Sequence, residues 1–284
     1  MRKSFSIGGI VIALELYKDF TVDSIMNVFA VRNTTPDVSI RFTRWDPSLL
    51  AASASVGKDI QFKYFCENGK VQAQKMHGSL GYCTVVRFAK DYSDVECSLL
   101  YPDDDYTAMM LFQHIPMKII YAAFNIMLLH SSQIAVGDKS ILFTAPSGTG
   151  KTTQSNLWSK TQGAQQLSGD RSASRIDGSR VWSYGFPLDG SNPVFTNSPH
   201  ELGAIVVLRQ AQENSVERLK GTASFRYLLE QASVPYWNRE LINRATETLY
   251  VVLSVVPTYL LRCTPDTGAV ECLKNQLIKD GIIR

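Results

Sequence analysis

The feature that most constrains this chain is a glycine-rich segment between an apolar run and a helix-forming stretch. Residues 145–153 read Ala-Pro-Ser-Gly-Thr-Gly-Lys-Thr-Thr, after the apolar run 140–144 and before the unbroken stretch 154–160. Glycines let a backbone wrap closely around phosphate oxygens, and the N-terminus of a following helix adds favourable partial charge. The segment therefore predicts a phosphate-binding loop between a strand and a helix.

The loop pattern gives its residues specific roles. Lys151 is expected to reach the β- and γ-phosphates of a nucleotide, and the Thr152 hydroxyl is expected to hold Mg²⁺. Ala145 stands where the usual pattern has its first glycine, and alanine fits there if its φ is negative. The alternative is a glycine-rich turn that opens an ordinary helix. The residues expected to bind ATP are Ser147, Gly148, Thr149, Gly150, Lys151, Thr152 and Thr153.

The segments around the loop predict an α/β domain. Residues 115–129 are predicted as a buried helix, because the apolar stretch carries Lys118 and Asn125 and is too short to span a membrane. Residues 132–136 and 140–144 flank Gly137-Asp138 and predict a β-hairpin. Strands and helices that alternate around such a loop form an α/β domain. Farther along, we predict a strand at 202–208, a helix at Arg239–Val255, a strand at Thr258–Cys263, and a last helix with Pro265 in its first turn.

The first hundred residues are predicted to be mostly β. Apolar and polar residues alternate over 38–43 and again over 60–65, with the period of half-buried strands. The charge-rich run 102–105 is interpreted as a solvated turn at a domain edge. We therefore expect a β-rich N-terminal region over residues 1–104, with substrate recognition as one use for it, and a nucleotide-binding domain over residues 105–284.

Composition limits the partners and the compartment. The chain has 29 Lys and Arg against 26 Asp and Glu, and this small excess indicates neither nucleic acid nor a membrane as the main partner. The five cysteines form no Cys-x-x-Cys pair, which favours a reducing cytoplasm. The N-terminus resembles a signal peptide only faintly, because Glu15 interrupts its apolar run, and it is predicted as a strand.

The order of the motifs resembles a known family. His130 precedes the hairpin, the phosphate loop follows it, and Leu167-Ser168-Gly169-Asp170-Arg171 comes next. This order resembles the kinase domain of HPr serine kinase/phosphorylase and its phosphoenolpyruvate carboxykinase-like relatives. The small bacterial members are the most similar, including the kinases found with ribosomally made peptides such as lasso peptides. The resemblance spans roughly residues 115–275. It implies a kinase domain that uses ATP and Mg²⁺.

Catalytic roles are expected for His130, Lys151, Asp170 and Arg171, and the resemblance implies those of His130 and Asp170. In such enzymes a histidine upstream of the loop lies near the γ-phosphate, which corresponds to His130. A pair of aspartates supplies a metal-side carboxylate and the base, but this chain has Gly169-Asp170 and thus one carboxylate fewer. Asp170 is therefore expected to act as base, as metal ligand together with Thr152, or as both. The alternatives are a turn aspartate and a histidine that caps a helix.

Two further features of the sequence concern the acceptor site. Arg171 is expected to neutralise the transferring phosphate, since guanidinium pairs well with phosphate oxygens. Residues 184–192 resemble a Gly-Pro-Gly-Ser loop of the small relatives and are expected to border the acceptor site. An ordinary surface loop uses the same turn residues.

Three functions remain open from the sequence. The first is a cytoplasmic ATP-dependent kinase that transfers the γ-phosphate to a hydroxyl, with serine as the expected acceptor, of a peptide or protein. The second is a kinase for a free small molecule that uses the same site. The third is a catalytically inactive nucleotide-binding accessory protein, which would explain the missing carboxylate. None of the three excludes an oligomer.

Overall fold

The computed structural model describes residues 1–51, 53–67, 69–77, 81–101, 103–187 and 194–284. The chain packs as two compact units. The first comprises Met1–Phe124 and Pro235–Ile242, and the second comprises Asn125–Val234 and Asn243–Arg284.

The strands of the described chain are β1 Arg2–Ile7, β2 Ile10–Leu16, β3 Ala30–Val31, β4 Val38–Arg44, β5 Gly57–Lys58, β6 Phe62–Glu67, β7 Lys70–His77, β8 Gly81–Phe88, β9 Asp94–Leu99, β10 Ile126–Val136, β11 Lys139–Thr144, β12 Gln165–Ser168, β13 Arg171–Asp177, β14 Arg180–Tyr184, β15 His200–Gln210, β16 Ser215–Leu219 and β17 Thr258–Cys263. The helices are α1 Ser24–Phe29, α2 Ala108–Gln113, α3 Met117–Ala123, α4 Lys151–Gln162, α5 Thr222–Gln231, α6 Arg239–Val255 and α7 Thr267–Lys279, with one 3-10 turn at Pro47–Leu49. None of these helices combines the length and the apolar character that a bilayer span requires.

The first unit is built on one nine-stranded sheet in the order β3-β1-β2-β4-β9-β8-β7-β6-β5. The strands β2, β4 and β9 run parallel to one another, and the other neighbours are antiparallel. The predicted alternation over 38–43 is confirmed, because Val38, Ile40 and Phe42 are buried while Arg41 is exposed. The N-terminal segment is β as predicted, but it forms two strands rather than one, because the chain turns at Gly8-Gly9 and β1 pairs with β2 as a hairpin.

The second predicted strand of this region begins later than expected. Ile60 is 97% exposed and precedes β6. The Asp59 carboxylate accepts hydrogen bonds from the backbone N–H groups of Gln61 and Phe62, at 2.9 and 2.8 Å. Such an aspartate turn competes with the strand, so regular pairing starts only at Phe62.

The first unit extends beyond the predicted boundary at residue 104 and continues to Phe124. The backbone N–H of Ala108 donates to the Thr21 carbonyl at 2.8 Å, and the backbone N–H of Met109 donates to Asp23 Oδ2 at 2.9 Å. These bonds attach α2 to the first unit, whereas the sequence boundary rested on a local charge run.

A second segment of the first unit, Pro235–Ile242, comes from far along the chain. Its Trp237 stacks on Tyr64, with 4.4 Å between the ring centroids. A Cβ at Gly57 would lie 2.4 Å from the Cβ of Trp237, so only glycine fits beside this ring. The segment is thus held by side-chain packing that no local pattern indicates.

The second unit contains an eight-stranded sheet that partly closes on itself. The strands β10, β11, β15, β14 and β13 pair in a closed circuit, and β17 and β16 extend the sheet beyond β15. The strands β11, β15 and β17 are parallel. Their carboxyl ends therefore lie at one edge of the sheet, where ligands of open α/β sheets usually bind.

Helices cover both faces of this sheet. One buried cluster joins Ile141, Phe143 and Val206 to Trp158 of α4 and Leu273 of α7. A second cluster lies on the other face, where strand residues meet α5 and α6; its members include Leu142, Val207, Leu260, Leu228 and Val252. This helix-on-both-faces packing gives the mixed α/β architecture that the sequence predicted.

The predicted helix over residues 115–129 is wrong in its second half. Helix α3 ends at Ala123, Asn125 has φ +55°, and β10 begins at Ile126. Asparagine tolerates this left-handed conformation better than most residues, so it ends the helix sharply. His130 consequently lies within a strand rather than at a helix end.

Most predictions for the rest of the second unit are confirmed. The hairpin forms as β10 and β11, with Val136 opposite Lys139 across a two-residue turn. The predicted strand at 202–208 lies within β15, and α6 and β17 have the predicted bounds. Pro265 does not begin the last helix, because the Asp266 side chain caps α7 by accepting from the backbone N–H of Ala269.

Candidate functional site

The phosphate loop, residues 145–153, joins β11 to α4 at the carboxyl edge of the parallel strands. Gly148 and Gly150 have φ values of +79° and +119°, which side-chain-bearing residues rarely adopt. A Cβ on either glycine would meet nothing within 4 Å, so the space beside the loop is open. Trp158 packs near Phe143, with ring centroids 6.4 Å apart, and holds α4 against the sheet.

Several backbone N–H groups of the loop donate to no acceptor among the described residues. Gly150 is the N-cap of α4 and supplies no side-chain hydrogen bond. Within the described ranges, no protein acceptor takes a hydrogen bond from the backbone N–H groups of Gly148, Gly150, Lys151, Thr152 and Thr153. Unused donors at a helix N-terminus suit an anion, so the residues present fit the phosphates of a nucleotide.

Lys151 lies buried at the base of the loop, with 7% of the residue exposed. Its Nζ donates to the carbonyl oxygens of Ala145 and Pro146, at 2.9 and 3.3 Å. Burial lowers the pKa of this ammonium, and the negative charge of Asp170 opposes that shift. The lysine is thus fixed near the start of the loop, and its charge is coupled to Asp170.

Asp170 and His130 form a pair. His130 in β10 lies opposite Arg171 in β13, and the backbone N–H of Ser131 donates to the Asp170 carbonyl at 2.9 Å. This register brings His130 Nδ1 to 3.3 Å from Asp170 Oδ1, with the two side chains 31% and 27% exposed.

The charges around Asp170 keep it ionised. The hydrogen bond from His130 is the largest cause that lowers the pKa of Asp170. Burial opposes this shift, while the charges of His130, Arg171 and Lys151 assist it. Arg171 Nε lies 3.6 Å from Asp170 Oδ2, and its side chain is exposed. The structure therefore brings together the four residues expected to be catalytic.

Small polar residues fix this arrangement, and sequence reasoning missed them. Thr144 Oγ1 donates to the His130 carbonyl at 2.8 Å. Ser132 Oγ donates to the Lys151 carbonyl at 3.0 Å and accepts from Ser155 Oγ at 2.8 Å. All three of these polar side chains are buried. For Ser132 and Thr144, the signal that could have found them is a small polar residue on a strand that is otherwise mostly apolar.

Thr152 and Asp170, the two residues expected to hold a cation, would offer it one hydroxyl and one carboxylate. Thr152 lies in the first turn of α4, directly after Lys151, and Asp170 is coupled electrostatically to Lys151. Among the described residues, no group of three or more His, Cys, Asp or Glu side chains is placed to hold a metal. Hydroxyl and carboxylate oxygens suit Mg²⁺, which is commonly held by few protein ligands together with phosphate oxygens.

A cavity of about 540 Å³, here called the loop cavity, adjoins the phosphate loop. Tyr227, Glu230 and Gln231 contribute to it from α5, and none of them was singled out from the sequence. It is lined by Ala145, Pro146, Ser147, Gly148, Thr149, Val207, Leu208, Arg209, Gln210, Tyr227, Glu230, Gln231 and Leu260. The cavity thus combines apolar walls with a few polar groups, as small-molecule sites do.

Comparisons with known proteins find a distant likeness among solved structures. No protein-family model and no curated protein matches the chain. Among solved structures, the Hpr(Ser) kinase/phosphatase from Coxiella burnetii is similar, with 11% sequence identity and a TM-score of 0.33. The match covers 54% of this chain and 98% of that chain.

The segment that is expected to border the acceptor site is described only in part. Of residues 184–192, those from 188 onward lie outside the described residues. Phe186 is buried, and a Cβ at Gly185 would lie 2.1 Å from the carbonyl oxygen of Thr196. Gly185 is therefore required by close backbone packing.

Proposed function

We propose that this protein is a cytoplasmic ATP-dependent phosphotransferase that moves the γ-phosphate to a hydroxyl, with serine as the expected acceptor, of a peptide or protein. One observation carries the proposal. A loop with five unused backbone N–H groups lies beside a cluster of Lys151, Asp170, His130 and Arg171. Phosphoryl transfer needs positioned phosphates, positive charge and a group that orients the hydroxyl, and this cluster offers all three.

The loop residues bind and position the phosphates. The free N–H groups at the start of α4 and the helix dipole hold negative charge without any rearrangement of the backbone. Lys151 has three ammonium donors and uses two of them on the loop carbonyls. Its charge therefore remains at the place where the β- and γ-phosphates are expected.

Asp170 orients the acceptor hydroxyl and takes up its proton. A carboxylate with a lowered pKa is a weak base, but the loose transition state of phosphoryl transfer asks more for orientation than for base strength. His130 holds the carboxylate by its hydrogen bond, and Arg171 adds positive charge on the other oxygen. Arg171 is exposed enough to turn toward a transferring phosphate.

Thr152 and Asp170 would hold the Mg²⁺ that accompanies the nucleotide. When bound, the ion neutralises charge on the phosphate oxygens. Gly169 at the neighbouring position leaves Asp170 to serve both the metal and the hydroxyl. We therefore expect activity to depend steeply on this one carboxylate.

The test compares two lysines of α4. Lys151→Ala removes the buried ammonium, whereas Lys160→Ala removes an exposed one in the last turn of the same helix. We expect Lys151→Ala to weaken MgATP binding by about 10- to 100-fold, the value of one charged hydrogen bond, and to abolish γ-phosphate transfer. Lys160→Ala should match the parent protein in calorimetric titration.

Two results would change this conclusion. Equal MgATP affinity in Lys151→Ala and the parent protein would refute the assignment of the loop. A parent protein that binds MgATP but transfers no phosphate to any hydroxyl would favour a nucleotide-binding accessory protein.

A further inference from the structure

The loop cavity lies next to the start of the phosphate loop, and its position can be related to the two ends of a bound nucleotide. Lys151 Nζ is held at the carbonyl oxygens of Ala145 and Pro146, and both residues line the cavity. Because this lysine reaches the β- and γ-phosphates, the terminal phosphate belongs at the start of the loop. The cavity therefore adjoins the place expected for the transferable phosphate.

The two charged side chains that line the loop cavity differ in whether they have an ion-pair partner. Arg209 and Glu230 are the two charged lining residues. Glu230 is compensated by Arg226, whose Nε lies 3.3 Å from Glu230 Oε1. The Arg209 guanidinium makes no ion pair or hydrogen bond with any residue that the structure describes. Arg209 is exposed, so its positive charge is accessible to a ligand in this cavity.

The remaining lining groups set the size and polarity of that ligand. Val207, Leu208 and Leu260 give apolar walls, while Gln210 and Gln231 offer amides. A volume of about 540 Å³ accommodates a small molecule or a few residues of a peptide.

We propose that the loop cavity is the acceptor site and that Arg209 binds a negatively charged group that the acceptor carries close to its hydroxyl. This inference rests on the proposed phosphotransferase function. The shared chemistry is a hydroxyl next to an anion, which a peptide serine beside Asp or Glu offers and which a free hydroxy acid also offers. Arg209 is a specificity residue in this account and acts on the acceptor rather than on ATP.

The proposed transfer needs no reactant besides ATP and the acceptor hydroxyl. The acceptor oxygen forms a bond to the γ-phosphorus while the bond from that phosphorus to the bridging oxygen breaks. ADP leaves with the electron pair of the broken bond, and the hydroxyl proton passes to Asp170. The anionic group on Arg209 is unchanged and serves only to hold the acceptor.

The experiment reverses the charge of Arg209 and measures acceptor choice with radiolabelled γ-phosphate. One arm uses serine peptides with Asp or Glu, or with Lys or Arg, beside the serine. The other arm uses free hydroxy acids and their uncharged amides. The variants are Arg209→Glu and, as a matched control outside the loop cavity, the exposed Lys220→Glu. The affinity for MgATP is measured for each protein by calorimetric titration.

The parent protein and Lys220→Glu should prefer acidic acceptors over their basic or neutral counterparts by about 10- to 100-fold in kcat/KM, the value of one charged hydrogen bond. Arg209→Glu should lose this preference, or reverse it among the peptides, and its affinity for MgATP should fall much less than its kcat/KM for acidic acceptors. The arm that shows the preference identifies the source of the acceptor.

Three results would overturn the proposal. Arg209→Glu could keep the preference of the parent protein. It could also weaken MgATP binding as much as it weakens transfer, which would place Arg209 on the nucleotide. A parent protein that binds MgATP but phosphorylates no member of either arm would also refute it. A parent protein that does not bind MgATP would instead refute the proposed function itself.

Discussion

Replacing Asp170 with asparagine removes one negative charge and keeps the shape of the side chain. The carboxylate accepts a hydrogen bond from His130 at 3.3 Å and faces Arg171 at 3.6 Å. An amide oxygen can still accept from His130, but as a neutral acceptor. The substitution therefore separates the charge of Asp170 from its volume.

The expected loss of stability is small. A hydrogen bond to a charged group contributes about 1.5–3 kcal/mol and a neutral one about 0.5–1.5 kcal/mol, so the change at His130 costs about 1–1.5 kcal/mol. The exposed pair with Arg171 adds at most about 1 kcal/mol. We expect the free energy of unfolding at pH 7 to fall by about 1–2.5 kcal/mol in urea titrations.

This loss should depend on pH with a defined sign. The pKa of Asp170 lies below its ordinary value of 3.8 in the folded chain. A group of this kind stabilises the fold above its unfolded pKa, and the contribution is lost as the pH falls through the folded pKa. The difference between parent and variant should thus be present above about pH 4 and shrink as the pH falls below that value.

Catalysis should suffer far more than folding. Loss of a positioned proton acceptor commonly costs about 10²- to 10⁴-fold in rate, so turnover should fall by that amount. ATP affinity measured in EDTA should rise, because Asp170→Asn removes a negative charge near the phosphate site. An unchanged turnover would refute the catalytic role of Asp170. A stability difference that persists unchanged to pH 3 would refute its ionic origin.

Three further substitutions test other parts of the account. Thr152→Ala should raise the Mg²⁺ concentration for half-maximal transfer by about tenfold or more, about 1.4 kcal/mol, whereas an unchanged Mg²⁺ dependence would exclude this ligand. Trp158→Ala empties a buried site between α4 and the sheet and should cost about 3–5 kcal/mol in urea unfolding; a loss under 1 kcal/mol would contradict that packing. Trp237→Ala removes the stack on Tyr64 and should destabilise the first unit by about 1.5–3 kcal/mol, while the exposed Tyr236→Ala changes it far less. Equal effects of these two would contradict the anchoring role of Trp237.

Local patterns predicted the elements whose signals lie in consecutive residues. The phosphate loop, the hairpin around Gly137 and helix α6 follow from glycine chemistry, turn chemistry and helical spacing. Residues 126–129 were assigned wrongly because a short apolar run fits a buried helix and a buried strand equally well. The positive φ of Asn125 and the pairing with β13 make this run a strand rather than a helix, and both depend on tertiary structure.

The residues of the candidate site also differ in whether a local pattern predicts them. The loop residues could be predicted from one segment, whereas His130 and Asp170 were singled out only through a family resemblance. Their contact arises from the register between β10 and β13, which no local signal specifies. The residues of α5 that line the loop cavity carry no motif, so this cavity could not be predicted before the fold was known.

Amide hydrogen exchange with and without MgATP tests the central claim most directly, because it locates the nucleotide on the chain. Backbone N–H groups that donate to phosphates should exchange more slowly. We predict protection of the N–H groups from Gly148 to Thr153, by up to about 100-fold at an ATP concentration of 100 times Kd. Unchanged exchange in this loop, under conditions where calorimetry shows MgATP bound, would contradict the account.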